Sequence, residues 1–242
     1  MAFFNHLLLL AHLLLLTVGS AEEPIYYNCD KPFAGNGTLA SYITDVLTKI
    51  KALSSLNGYA LSQDTGDGLN QVSGLAQCQG GLTAAVCSAC VDQAVNDLTK
   101  YCPGKLEVSI WYPSCYLRIS GEDFLGRIVK GGEILLRSTQ EAPNPVAFGL
   151  AVEEELSRLK KEVRASGSRL FGTAETNVPA NHRKHGALKV FGMAQCTHDL
   201  RASTCFVCLN RLYDRIMANC STRIGCSVLH TSCYVRLGIH EV

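Results

Sequence analysis

The sequence predicts an α+β protein built as two tandem disulfide-stapled domains, each an antiparallel sheet with helices packed on it. Three observations carry that prediction. A ruler of five cysteines is used twice, because Cys78, Cys87, Cys90, Cys102 and Cys115 recur 118 positions later as Cys196, Cys205, Cys208, Cys220 and Cys233. The letters around the ruler rhyme, with VSGLAQC answered by VFGMAQC and PSCYLR by TSCYVR. The order of patterns, helix then strands then helix then strands, is that of small α+β layers. A repeat this long marks duplicated domains, each with its own core, rather than a solenoid of short units.

In chain order, residues 1–21 read as a secretory signal: LLLLAHLLLL is followed by the small residues of TVGSA, with cleavage after Ser20 or Ala21. The run is short for a bilayer span and leads into the polar EEP. The rest divides into two domains of about 110 residues, large enough to bury a modest core. In the first, 22–129, TLASYITDVLTKIKAL is an amphipathic helix capped by Thr38, with Leu39, Tyr42, Ile43, Val46, Leu47, Ile50 and Leu53 on one face. The runs YALSQ and QVSGLAQC follow as strands. A second helix spans Thr83 to Tyr101, with Thr83 as N-cap, Pro103 and Gly104 past its end, and Val86, Cys87, Cys90, Ala94, Leu98 and Tyr101 as its stripe. KLEVSIWY and SCYLRIS are the closing strands.

Residues 130–144 are rich in turn formers at both ends and read as a linker whose ILL core is able to pair with one domain. In the second domain, 145–242, Phe148 to Val163 matches the first helix and is more heavily charged, with Glu154 four residues before Arg158. Thr204 to Ala218 matches the second helix, with Cys205, Cys208, Leu209, Leu212, Tyr213 and Ile216 inward. Between them TNVPANHRKHGALK reads as an exposed hairpin loop, and His182 and His185 within it as solvated histidines ahead of metal ligands.

Twelve cysteines, an even number, behind an export signal point to disulfides. Cys90 and Cys102 stand about 18 Å apart along a continuous helix, so they do not bond each other. Cys78 is able to meet Cys87 across a short loop and Cys115 to meet Cys90, which leaves Cys102 for Cys29. In the second half the position of Cys29 falls near Ser138, and the sixth cysteine is Cys226. By analogy Cys196 pairs with Cys205, Cys208 with Cys233, and Cys220 with Cys226. Redox chemistry at Cys87 and Cys90 needs a spare thiol pair, and Cys78 claims one of them. Structural zinc is the weaker reading for the same reason.

A formal charge of +1 gives no global field for nucleic acid or an anionic membrane. No GxSxG elbow, phosphate-cradling loop or HExxH helix appears, so no enzyme class, cofactor or metal is expected. Asn36 in NGT and Asn219 in NCS are candidate glycosylation sites. Trp111 and Tyr112 are candidate binding aromatics. In KLEVSIWY, Tyr112 shares a face with Leu106, Val108 and Ile110, and Trp111 lies opposite with Glu107 and Ser109, either outward or under a helix. Arg118 and Arg236, three residues past the last cysteine of each ruler, are read as braces of the sheet ahead of ligand contacts.

The doubled C-x8-C-x2-C pattern behind a signal, closed each time by SCYLR or SCYVR, resembles the plant cysteine-rich repeat secretory proteins. Their domain also forms the ectodomains of cysteine-rich receptor-like kinases and plasmodesmata-located proteins and the antifungal protein ginkbilobin. The resemblance implies a five-stranded antiparallel sheet with two helices per domain, and bonding of first to fifth, second to third and fourth to sixth cysteine. It implies a secreted, apoplastic, non-enzymatic binding protein for stress, defence or wall recognition, with a carbohydrate or a receptor ectodomain as partner. The alternative is an ectodomain of a membrane protein lacking its anchor, acting in cell-to-cell communication. Mannose-binding members use an Asn, an Arg and a Glu at places held here by Asp30, Ser109 and Ser120, and in the second domain by Thr139, Ser227 and Gly238, so a site of that type is not implied. After SCYVR the family continues through a longer strand, so RLGIHEV is expected to leave the last sheet incomplete.

Overall fold

The computed structural model describes residues 22–32, 37–65, 71–129, 131–179 and 188–241; the signal segment, Asn36, His182 and His185 lie outside them. The first sheet has strand order β1-β4-β5-β3-β2, from β1 (Tyr26–Pro32), β2 (Tyr59–Thr65), β3 (Gln71–Cys78), β4 (Lys105–Trp111) and β5 (Cys115–Ser120). The second has order β6-β9-β10-β8-β7, from β6 (Ile134–Arg137), β7 (Phe171–Asn177), β8 (Leu188–Cys196), β9 (Cys226–Leu229) and β10 (Cys233–Glu241). Each strand pairs antiparallel with its neighbours. Helices α1 (Gly37–Asn57) and α2 (Ala84–Tyr101) cover one face of the first sheet, and α3 (Pro145–Ala165) and α4 (Ala202–Cys220) one face of the second.

The helices end where capping chemistry places them. The Thr83 hydroxyl accepts from the Val86 amide at 3.4 Å and starts α2. Asn144 Oδ1 accepts from the Ala147 amide at 3.1 Å, and Pro145 opens α3 where its missing N–H costs nothing. Helix α1 begins at Gly37, one residue before the expected cap Thr38. Val86, expected on the buried stripe of α2, is 43% exposed, because Cys87, Cys90, Val91 and Ala94 define the inner face.

Both helix layers approach their sheets at a glycine. A Cβ on Gly74 would lie 2.5 Å from Val46 Cγ1 and 2.6 Å from Ile50 Cδ1, and one on Gly192 2.5 Å from Glu155 Oε1 and 2.8 Å from Leu159 Cδ1. The two crossings are equivalent, so Glu155 occupies the place of Val46 and Leu159 that of Ile50. A fully buried carboxyl therefore sits where the first domain has a valine. Its Oε2 accepts from Thr176 Oγ1 at 2.7 Å.

The twelve sulfurs form six bonds, three within each half: Cys29–Cys102, Cys78–Cys87 and Cys90–Cys115, then Cys196–Cys205, Cys208–Cys233 and Cys220–Cys226. Register explains the displaced cysteine. Cys29 on β1 lies opposite Val108 on β4, whereas Arg137 on β6 lies opposite Cys226 on β9. The counterpart of Cys29 is thus Arg137, one residue before the expected Ser138, and the sulfur has moved across the strand pair. Arg137 donates from Nη1 to the Asn219 carbonyl at 3.2 Å, so a hydrogen bond holds the end of α4 to the edge strand where α2 has a covalent tie.

The ILL core that was expected to be able to pair with one domain does so, and one expectation, the incomplete last sheet, needs correction. Residues 134–137, within the stretch expected as linker, are the edge strand of the second sheet. The last sheet is complete, because β10 runs nine residues and pairs with β8 from Cys233↔Cys196 to Glu241↔Leu188.

Burial pushes the Glu155 carboxyl above its ordinary value of 4.5, against the opposing effect of the Thr176 hydrogen bond. The unfolded chain ionises this group at lower pH than the folded one, so its contribution to stability is lost as pH rises above 4.5. Glu155→Gln keeps an acceptor for Thr176 and removes that loss. Thermal melting should give equal midpoints for variant and parent near pH 4 and a higher midpoint for the variant near pH 7; a lower one there would contradict the assignment.

Candidate functional site

Strand alternation leaves each sheet with a second face, and these two faces meet. In β3 every residue after Gln71 is buried, and in β5 every residue, which requires cover on both sides. Leu75, Trp111 and Tyr116 of the first sheet pack with Met193, Leu229 and Tyr234 of the second, joined by Phe124. These form three pairs related by the 118-residue repeat, so the halves bury equivalent surfaces against each other about a pseudo-two-fold axis.

At the centre are Gln77 and Gln195, both buried. Gln195 Oε1 accepts from the Gly80 amide at 3.0 Å and from the Tyr234 hydroxyl at 2.6 Å, and its Nε2 donates to the Cys78 carbonyl at 3.0 Å. Gln77 Oε1 accepts from the His198 amide at 3.1 Å and from His198 Nδ1 at 2.7 Å. His198 is the repeat counterpart of Gly80. Tyr59 stacks on its ring at 4.1 Å, while Phe171 covers Gly80 so closely that a Cβ there would lie 2.3 Å from the ring. Burial lowers the His198 pKa and keeps the imidazole neutral, with Nδ1–H donating.

Trp111 and Tyr112 are not an exposed platform. Trp111 is 1% exposed and stacks on Tyr116 at 4.8 Å, and what covers it is the second sheet, neither solvent nor a helix. Tyr112 is fully buried on the helix side, where its hydroxyl donates to Asp97 at 2.9 Å. The Arg118 guanidinium lies over the Phe124 ring at 3.8 Å. Arg236 donates to the carbonyls of Tyr112 and Pro113 at 3.1 and 3.0 Å, across the domain seam. Asn219 sits in the last turn of α4 with Nδ2 donating to the Arg215 carbonyl.

Between the outer face of β1 and β4 and the chain crossing from Val129 to Ile134 lies a cavity of about 230 Å³. Asp30, Lys31, Glu107, Ser109, Trp111 and Thr231 are among the residues that line it. Trp111 Nε1 and Thr231 Oγ1 are buried without a hydrogen-bond partner among the described residues. An unpaired buried donor costs about 1–3 kcal/mol, so the cavity holds unmet hydrogen-bonding capacity. Lys31 bonds Glu122, and that bond raises its pKa and lowers that of Glu122. Glu107 accepts from Ser120 Oγ at 2.8 Å, which ties Ser120 down, while Asp30 and Ser109 line the cavity, Ser109 with its hydroxyl 3.2 Å from the Tyr116 hydroxyl.

The crossing chain is held by His230, whose Nε2 donates to the Val129 and Gly131 carbonyls at 3.1 Å while Nδ1 accepts from the Ser232 amide at 3.1 Å. Burial lowers its pKa. His230, Cys208 and Cys233 have ligating atoms within 4.8 Å of one another, but both sulfurs are spent in one disulfide, which leaves a lone imidazole and no metal-binding set. Among the described residues no helix is long and apolar enough to cross a membrane.

The family model described as salt stress response/antifungal matches residues 28–122 and 137–239. The chain belongs to the salt stress response/antifungal family. It is 29% identical over 223 residues to an antimicrobial ginkbilobin-2-like protein of Castanea crenata, covering 91% of this chain and 89% of that one. It is 27% identical over 220 residues to cysteine-rich repeat secretory protein 38 of Arabidopsis thaliana, covering 89% and 84%. With cysteine-rich receptor-like protein kinase 8 of Arabidopsis thaliana it shares 30% over 237 residues, but spans only 33% of that protein. The tandem DUF26 ectodomain of Arabidopsis thaliana PDLP8 superposes with a TM-score of 0.74 at 24% identity, covering 90% of this chain and 98% of that one. Within the salt stress response/antifungal family this chain is an extracellular cysteine-rich domain protein with the tandem ectodomain fold.

The residues that sequence reasoning missed are Gln77 and Gln195. Their signal was visible in the shared AQC of the two halves, a polar letter kept inside an apolar strand. Gln195→Leu leaves the Gly80 amide and the Tyr234 hydroxyl without their acceptor, while the Cys78 carbonyl keeps Gln77 Nε2 at 3.0 Å, and should cost about 2 kcal/mol. Chemical denaturation of the whole chain measures it, and an unchanged midpoint would contradict the central role of this side chain.

Proposed function

We propose that the protein is a secreted, non-enzymatic binding protein that takes a small neutral sugar, or a short stretch of one, in the seam cavity, in a stress, defence or wall-recognition setting. The observation that carries this reading is the pair of unpartnered groups, Trp111 Nε1 and Thr231 Oγ1, in a cavity that also offers carboxylates and a lysine. Donors and acceptors set beside an indole are what a polyhydroxylated ring needs. The names of the antimicrobial and repeat secretory relatives support the setting. Asp30 and Ser109 replace the Asn and Arg of mannose-binding members, so the sugar preference is a different one. Asn36 and Asn219 are the proposed glycan carriers.

Two likenesses favour a second reading: the fold covers 98% of the ectodomain of a cysteine-rich receptor-like protein, and 91% of this chain aligns with a cysteine-rich receptor-like protein kinase. In that reading the two-domain unit as a whole binds a partner ectodomain in cell-to-cell communication.

Trp111 is the only tryptophan, so its fluorescence reports on the cavity. Titration with a panel of neutral mono- and disaccharides should give a saturable change in emission for at least one sugar, abolished by Thr231→Val. Silence across the panel, with binding to an ectodomain by calorimetry, would favour the second reading.

A further inference from the structure

The helical face of the second domain carries a groove unrelated to the seam. It is about 250 Å³, between α3 and α4, and is lined by Ser157, Lys160, Lys161, Arg164, Phe206 and Asn210. Lys160 Nζ lies 5.0 Å over the Tyr213 ring and Arg164 Cζ 5.0 Å over the Phe206 ring. The rings hold these two charges in place along the groove. Among the described residues none of the three cations has a carboxylate within 4.0 Å. Glu162 lies between Lys161 and Arg164 in sequence and is exposed but has no cation within 4.0 Å among the described residues, and Glu154 is taken by Arg158 at 2.6 Å.

The first domain supplies an internal comparison. The glycine crossings align Val46 with Glu155 and Ile50 with Leu159, and so Lys51 with Lys160, Ala52 with Lys161 and Ser55 with Arg164. The cysteine ruler aligns Asp92 with Asn210 and Ser88 with Phe206. In the first domain Lys51 is neutralised by Asp92 at 3.0 Å. In the second that acid is an amide, two cations are added, and an aromatic ring replaces a serine. With a formal charge of +1 over the whole chain, this is a local concentration of positive charge rather than a share of a basic surface.

We infer that the α3–α4 groove is a second binding site, for the carboxylate-bearing sugars of an acidic polysaccharide. Lys161 and Arg164 meet the carboxylates, Arg164 through two parallel N–H donors. Asn210 and Ser157 bond the hydroxyls, and the Phe206 ring backs the sugar face. Glu153 and Asp214, one turn beyond Ser157 and Asn210, put negative charge at the far end, which limits the occupant to a short anionic stretch. A nucleic acid would need a longer run of cations than the groove offers.

The test uses the whole chain and a trimer of galacturonic acid, with its fully methyl-esterified form as the neutral control. Calorimetry should show binding of the acid and none of the ester, weakening as sodium chloride rises from about 50 to about 300 mM. Lys161→Gln with Arg164→Gln should weaken the acid by roughly tenfold or more. Asn210→Asp, which rebuilds the ion pair of the first domain, should do so with the folded surface intact. Trp111→Phe should leave it unchanged, which separates this site from the seam cavity. Equal binding of acid and ester, binding only of a sulfated trisaccharide, or indifference to both the double variant and Asn210→Asp would overturn the proposal.

Discussion

The structure depends on the burial of one sheet face against its own duplicate. A five-stranded sheet with helices on one side leaves a second side of comparable area, and a domain of about 110 residues has no further element to cover it. Each half offers the other the missing layer. Leu75, Trp111 and Tyr116 are matched by Met193, Leu229 and Tyr234, and the backbone groups caught at the centre are satisfied by the two glutamines. The disulfides secure each half internally, and none crosses the seam, so the seam is held by apolar contact and hydrogen bonds.

Duplication fixes the frame, and at several places divergence within it replaces one interaction by another. Cys29 becomes Arg137, and a bond between sulfurs becomes a hydrogen bond to the end of a helix. Val46 becomes Glu155, whose Oε2 is met by Thr176 while Oε1 is buried without a hydrogen-bond partner among the described residues. Asp92 becomes Asn210, which frees a lysine that the first domain neutralises. Gly80 becomes His198, so the same position is covered by Phe171 in one half and stacked on Tyr59 in the other. Function is expected where the halves differ, since the shared residues are occupied in holding the fold.

Much of the fold was legible because its signals are periodic. The helical stripes and the inner strands follow from spacing alone, and the cysteine ruler from counting. The edge strand β1 was not, because YYNCDKP lacks alternation when six of its seven residues are exposed on an edge paired on one side, and ILLR was legible only as an apolar core able to pair, with no sign of which domain it joins. Period two placed Trp111 on the face opposite Ile110 but carried no information on its cover, which comes from residues more than a hundred positions away. The seam cavity was illegible for the same reason, since Thr231 and Trp111 meet only through the packing of two domains.

If the shared faces bind the halves into one unit, neither half keeps its structure after the seam opens. Heating the whole chain while following the Trp111 emission and the far-ultraviolet circular dichroism together tests this most directly. Coincident midpoints are expected, with the indole reaching water as the helices melt. Exposure of Trp111 well below the temperature at which the helices are lost would show two independent domains merely resting on each other, and would contradict this view of the fold.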